Sequence, residues 1–422
     1  MSREPGTPTA GSGRKAAMGF VFVCVLLDML ALGIVVPVLP PLIQQFSGDA
    51  VSAARWIGWF AAAYALVQFF ASPVLGGLSD HFGRRPVLLL SMAGLGLDYV
   101  FMALAPNLAW LFVGRMISGV TAATYSTASA YVADVTPPEL RAARFGFLSV
   151  AFGIGFIFGP AVGGLLGTLD PRLPFWGAAG LCLLNTLYGV FILPESLPKE
   201  RRAKFSFKLA NPVGAFDLYR SNATLTSLAG VIFLYYLAHQ VLQTTWIPYT
   251  MYRYGWSSAT NGLSLALVGV GSILVQALVV PRFVARFGER GALAAGLAAA
   301  AVAFTIYGVA PYGWLFLAFI IPSAAMGLIG PGVQGLMSRS VSATEQGRLQ
   351  GANMGLMAIA SLIGPILFTE VFARAIGAWR GWAPAGAPFY LAAALMALGL
   401  VLALGAPKPR EQMAGGSSGA GT

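Results

Sequence analysis

The feature that most limits what this chain can become is its rhythm of long apolar runs. Twelve of them occur, each close to the roughly 20 residues a helix needs to cross a bilayer, and most of the connections between them are short. They lie near 17–39, 54–77, 86–105, 109–132, 142–167 and 173–193, then 224–248, 259–281, 291–309, 313–337, 348–373 and 386–405. Inside lipid every backbone amide must be bonded within its own segment, so runs of this kind become helices. Charged residues are only 10% of the 422, against about 25% in soluble domains. The expected fold is an all-α polytopic membrane protein with twelve transmembrane helices.

The charge pattern sets an orientation. The net charge is +11, but the basic residues fall in alternate loops and form no compact patch, so nucleic acid is not an expected partner. With the N-terminus inside, twenty Lys and Arg fall on the inner side and five on the outer, with Arg115 left within a span. That excess places both ends in the cytoplasm, and the compact loops suit a bacterial inner (plasma) membrane. Residues 1–16 and 406–422 read as disordered cytoplasmic tails. Residues 17–193 and 224–405 read as two six-helix bundles, joined by a basic cytoplasmic loop at 194–223. Cys24 and Cys182 lie in apolar runs as packing residues, and the only histidines are His81 and His239. No metal-ligand spacing, phosphate-binding loop or nucleophile elbow occurs, so the expectation is no cofactor, no metal and no enzymatic activity.

The two halves repeat. HFGRR at 81–85 returns as RFGER at 286–290, Gly159-Pro160 as Gly364-Pro365 and Gly146 as Gly351, all at a shift of 205. WLF at 110–112 returns at 314–316, a shift of 204. Parallel repeats related by an axis along the membrane normal place a binding site between them, near the midplane.

Three groups of residues ask for a reason beyond packing. The first is the short connection Gly76 to Leu88, GGLSDHFGRRPVL. Its glycines permit a tight reversal, and Asp80, Arg84 and Arg85 can pair with each other or with nearby helix ends. The second is helix 5, where Gly155, Gly159, Pro160, Gly163 and Gly164 put small residues on one face and favour close helix approach. The third is the set of polar groups inside spans. An ionisable residue there costs at least about 2.5–3.5 kcal/mol. Asp28 and Asp98 can load and release a proton, since burial penalises the charged acid, or pair with Arg115. His239 can titrate or simply pack. Gln68, Gln240, Gln243, Gln276, Gln334 and Asn353, with Tyr64, Tyr235 and Tyr236, suit either orientation of a partly polar ligand or helix-to-helix bonding.

These segments resemble the major facilitator superfamily, in particular the twelve-helix drug/proton antiporters and the tetracycline/proton antiporters among them. LLDMLALGIVVPVLPPL, YALVQFFASPVLG, SDHFGRRPVLLLS, GLDYVFMA and GRMISGVTAAT carry the resemblance, with the Gly155–Gly164 motif of helix 5. The resemblance implies a cytoplasmic latch that includes Gly83 and Arg85. In it Asp80 faces the N-terminal end of helix 11 and Arg84 pairs with Asp134. It also implies a transport path that includes Asp28, Asp98, Gln68 and Arg115. Two positions depart from the family: Ala300 stands where it carries an acid in helix 9, and Ser272 where it carries a histidine in helix 8. Both groups are tied in that family to metal–tetracycline recognition and proton coupling. PESLP at 194–198 resembles a motif of sugar porters. The expected function is proton-coupled export of an amphipathic drug-like molecule, of tetracycline type or multidrug, by alternating access in a monomer. The alternative is a proton-coupled uptake symporter for a sugar or other metabolite.

Overall fold

The computed structural model describes residues 10–121, 124–203, 212–220 and 222–407. Ten helices in it are long and apolar enough to cross a membrane. Two features raise the number of crossings to the expected twelve. The continuous stretch Ser258–Val309 breaks at Gly288, whose φ of 69° lies in the left-handed region. Trp246 donates from Nε1 to Ser264 and packs its ring on Tyr307, so residues on either side of Gly288 sit at one level and the chain has reversed. The fourth crossing is made by two shorter helices, Leu108–Thr121 and Thr124–Val135.

The crossings are α1 (Ala10–Val35, continued by Leu39–Ser47), α2 (Ala50–Phe82), α3 (Arg84–Ala103), α4 (Leu108–Thr121 with Thr124–Val135), α5 (Arg141–Leu169) and α6 (Leu173–Ile192). The second half has α7 (Ala223–Thr244, continued by Trp246–Tyr254), α8 (258–287), α9 (289–309), α10 (Gly313–Ser323 through Ile329–Arg339), α11 (Gln346–Ile376) and α12 (Ala387–Gly405). Among the described residues no strand is present. Helix ends are set by ordinary caps. Asp49 accepts from the amides of Val51 and Ser52 at 2.9 Å, and hydrogen bonding from Ser52, its side chain first and then its amide, holds the carboxyl below the usual range. Ser342 and Glu345 form a capping box before α11.

Two expectations shift. Helix α1 begins at Ala10, inside the stretch read as a tail; residues 1–9 and the end from 408 lie outside the described residues. The central loop carries a helix, Pro212–Arg220, which docks on α11 through Tyr219 and Phe216. Apolar residues at Phe216, Leu218 and Tyr219 give that segment a face to bury, which its many charges conceal in a composition-based reading.

The halves meet mainly through α5 on α8 and α2 on α11. A Cβ on Gly164 would lie 2.4 Å from the Ser258 carbonyl oxygen, and one on Gly262 would lie 2.2 Å from that of Pro160. Arg55 of α2 pairs with Glu370 of α11 at 3.0 Å, and Glu370 with Arg374 at 2.8 Å. All these contacts sit toward the face that bears Gly48 and Gly255. On the opposite face, which bears the basic loops, α4 and α10 make no substantial contact among the described residues. A Cβ on Gly76, Gly347 or Gly351 would meet nothing there. The molecule is closed at one face and parted at the other.

Candidate substrate and proton site

Two polar clusters lie within the helical layer, one in each half. In the first half Asp28 of α1 and Asp98 of α3 are 4% and 2% exposed. Asp98 accepts from the Ser118 hydroxyl of α4, while Oδ1 of each acid is buried without a partner. Arg115 of α4 stands near them, yet its guanidinium lies over the Tyr64 ring of α2, 4.1 Å from the centroid. Such a contact is worth about 0.5–2 kcal/mol. Among the described residues neither acid is within ion-pair distance of a base. The fixed ion pair with Arg115 that sequence reasoning leaves open is therefore not made. Gln68 lies one turn beyond Tyr64 on α2, half-buried on the same face.

In the second half a cavity of about 190 Å³ opens between α7, α8, α9 and α10. His239, Tyr235 and Trp246 line it from α7, Ser272 and Gln276 from α8, Tyr307 from α9, and Ser323 and Gly327 from α10. His239 Nδ1 is buried without a partner. Ala300, by contrast, is packed in the hydrophobic core of this half and does not reach the cavity. Neither Asp28 nor Asp98 lines it. The two clusters belong to different halves.

The remaining amides divide by what they touch. Gln240 donates to Ser361 at 3.0 Å and joins α7 to α11. Gln334 accepts from Gln350 at 3.2 Å and joins α10 to α11. Asn353 accepts from the Tyr219 hydroxyl at 2.7 Å and holds the central-loop helix. These three bond helices together. Gln243 is exposed and lines no described cavity, and Tyr236 is half-buried beside Tyr235.

At the basic-loop face Arg84 bonds Asp80 at 2.6 Å and Asp134 at 3.0 Å. Asp80, 48% exposed, faces solvent and not the start of α11. The halves are parted here, so the end of α11 is out of its reach. Arg85 donates to the Val190 carbonyl at 2.5 Å. Sequence reasoning missed a further member. Glu195, in PESLP, accepts from the backbone amide of Arg84 at 2.9 Å and pairs with Arg202 at 3.7 Å. It caps α3, and it sits so close to Gly83 (φ 109°) that a Cβ there would lie 2.3 Å from its carboxylate. Ser196 adds a bond to Asp134 at 3.3 Å.

The internal repeat extends to this corner. Gly83 and Gly288, 205 apart, both take positive φ. Arg84 and Asp134 correspond to Glu289 and Arg339 at the same shift, and these pair at 2.5 Å. The ion pair recurs with its charges exchanged.

In helix α5 the Gly155–Gly164 seam serves two contacts. Gly155, Gly159 and Gly163 face the backbone of α1, and Gly164 faces α8.

Two duplicated six-helix halves, closed on one face and parted on the other around buried polar groups, are the build of a small-molecule transporter in a membrane. The chain belongs to the Major Facilitator Superfamily, whose profile matches residues 21–365 and again 228–420. It is 41% identical over 368 residues to the class C tetracycline resistance protein of Escherichia coli, covering 87% of this chain and 92% of that one. It is 36% identical to the class B protein of Escherichia coli, covering 85% and 89%. Among solved structures it is similar to the human organic anion transporter MFSD10 (TETRAN), with a TM-score of 0.67, 25% identity, and coverage of 94% and 100%.

Proposed function

We propose that this transporter exports an amphipathic drug-like molecule of tetracycline type from the cytoplasm in exchange for protons. The observation that carries the coupling is the pair of buried carboxyls, Asp28 and Asp98, with no basic partner. Among the described residues their anions have no ion-pair partner to offset desolvation in this conformation, and only Asp98 accepts a side-chain hydrogen bond, from Ser118, so a proton entering from outside resides on one of them. The similarity to the tetracycline resistance proteins supports drug export as the direction.

The positive-inside pattern puts the basic-loop face in the cytoplasm, and with it both termini. The molecule described is then inward-open, sealed outside by the α5–α8 and α2–α11 contacts. Protonation of the acids favours this state. Cargo entering from the cytoplasm displaces the proton, the outer seam parts, and the basic-loop face closes with Asp80 meeting the N-terminal dipole of α11. Arg84, Asp134, Gly83 and Arg85 hold the first-half side of that latch. The membrane potential adds about 2.3 kcal/mol per charge per 100 mV, enough for more than tenfold accumulation of a neutral solute per proton.

The test is uptake of tetracycline into everted vesicles under an imposed ΔpH. Asp28→Asn and Asp98→Asn are each expected to blunt the response. If both variants, and the double variant, respond to ΔpH as the wild type does, the coupling is elsewhere.

A further inference from the structure

The cavity of the second half is framed by two breaks in helical regularity. Val275–Val279 of α8 is a π-helical turn and Ala324–Leu328 of α10 is a 3₁₀ turn, and the two lie in contact. Such turns inside long helices frequently mark functional positions. Gln276 sits in the first turn and Gly327 in the second. A Cβ on Gly327 would come within 3.7 Å of the Gln276 side-chain nitrogen.

The cavity's polar groups are of two kinds. Trp246 and Tyr307 are already bonded, to Ser264 and Ser323. His239 Nδ1 is buried and unpartnered, and no hydrogen bond is made by the side chains of Ser272, Gln276 or Tyr235 among the described residues. An unmet buried donor or acceptor costs about 1–3 kcal/mol, so His239 Nδ1 is placed for a ligand that enters, while Ser272 and Gln276 stand exposed at the open side of the cavity. The walls are aromatic. Among the lining residues no carboxylate, lysine or arginine is present, and His239 with the tyrosines supplies all the titratable groups.

We infer that this cavity is a subsite for the uncharged, hydrogen-bonding aromatic end of the transported molecule, and that His239 is a binding residue there. A phenol, enol or carboxamide on a flat ring system matches the free groups and the aromatic walls. A permanent cation finds no counter-charge. At about 190 Å³ the space is below the ~300–1,000 Å³ of a whole drug pocket, so it takes one end of the ligand and leaves the rest in the cleft between the halves. The inference rests on the export reading for the nature of the cargo, but it concerns binding alone.

The experiment therefore uses purified full-length protein in detergent without any gradient. Trp246 fluorescence is followed during titration with tetracycline and, separately, with tetraphenylphosphonium; Trp246→Phe supplies the background. Tetracycline is expected to quench Trp246. His239→Ala is expected to weaken the Kd about tenfold, the loss of one buried hydrogen bond, Gln276→Ala, on the exposed side, to weaken it less, and tetraphenylphosphonium to leave the signal unchanged. Ser272→Val, at the exposed rim, is a variant that leaves the helix packing intact, and it should weaken binding as well. Wild-type affinity in monodisperse Ser272→Val and Gln276→Ala, an unquenched Trp246, or competition by the cation overturns the subsite. Normal binding with no ΔpH-driven uptake in vesicles overturns the export reading instead and leaves the subsite standing.

Discussion

Gly164→Ala places one methyl group in the seam between the halves. Its Cβ would lie 2.4 Å from the Ser258 carbonyl oxygen and 3.1 Å from the Ala259 and Gly262 α-carbons. All three are backbone atoms of α8, so no flexible side chain can swing aside. Overpacking of this kind costs about 1–3 kcal/mol. The contact exists only while this face is closed, so the cost falls on the closed state alone. The closed-to-open ratio should drop by about 5–150-fold.

Gly163→Ala is the natural contrast. Its Cβ would lie 1.9 Å from the Ile34 oxygen of α1, within one half, where packing is kept in both states. It should lower overall stability and leave the ratio alone. Spin labels at Gln45 and Arg253, both exposed at the closed face, report the separation. Gly164→Ala is expected to populate a longer distance in detergent without ligand. A wild-type distance distribution in a monodisperse Gly164→Ala protein would refute the seam as the element that opens.

Four other outcomes follow from the ion pairs and caps. Asp134→Asn removes a partner of the largely buried Arg84 and should lower the thermal stability of the first half by about 1.5–3 kcal/mol. In the mirror pair, Arg339 is 68% exposed, so Glu289→Arg should cost at most about 1 kcal/mol, with Arg339→Glu in the same chain restoring the melting temperature. Glu370→Gln frees Arg55 and should shift the same spin-label distances toward opening by up to about fivefold; because both partners are solvent-accessible, the difference from wild type should vanish in high salt. Finally, the hydrogen bonds that lower the Asp49 carboxyl contribute stability above its unfolded range and lose it as pH falls through the folded value. Asp49→Asn keeps the cap without the titration, so its melting temperature should fall less than that of wild type in acid.

Much of the architecture is legible in the one-dimensional pattern. Crossing number and duplication depend on hydropathy and spacing, which are local properties that lipid enforces on each segment separately. The reversal at Gly83 and its copy at Gly288 belong to the same class, since a left-handed backbone position in a short loop favours glycine wherever it occurs.

What residues touch across helices was decided only by tertiary packing. Asp28 and Asp98 read as either proton carriers or partners of Arg115; the rotation of α4 and α2 sends the guanidinium onto Tyr64 and leaves both acids unpaired. Gln240, Gln276 and Gln334 look alike in sequence, yet one bonds α11, one enters a cavity and one bonds a neighbouring glutamine. Glu195 caps a helix more than a hundred residues earlier in the chain, and the exchange of charges between Arg84–Asp134 and Glu289–Arg339 shows only once the pairs are formed. Each depends on helix tilt and rotation. Those angles are set by the summed fit of small and large side chains between neighbours, which no single stretch of the chain encodes.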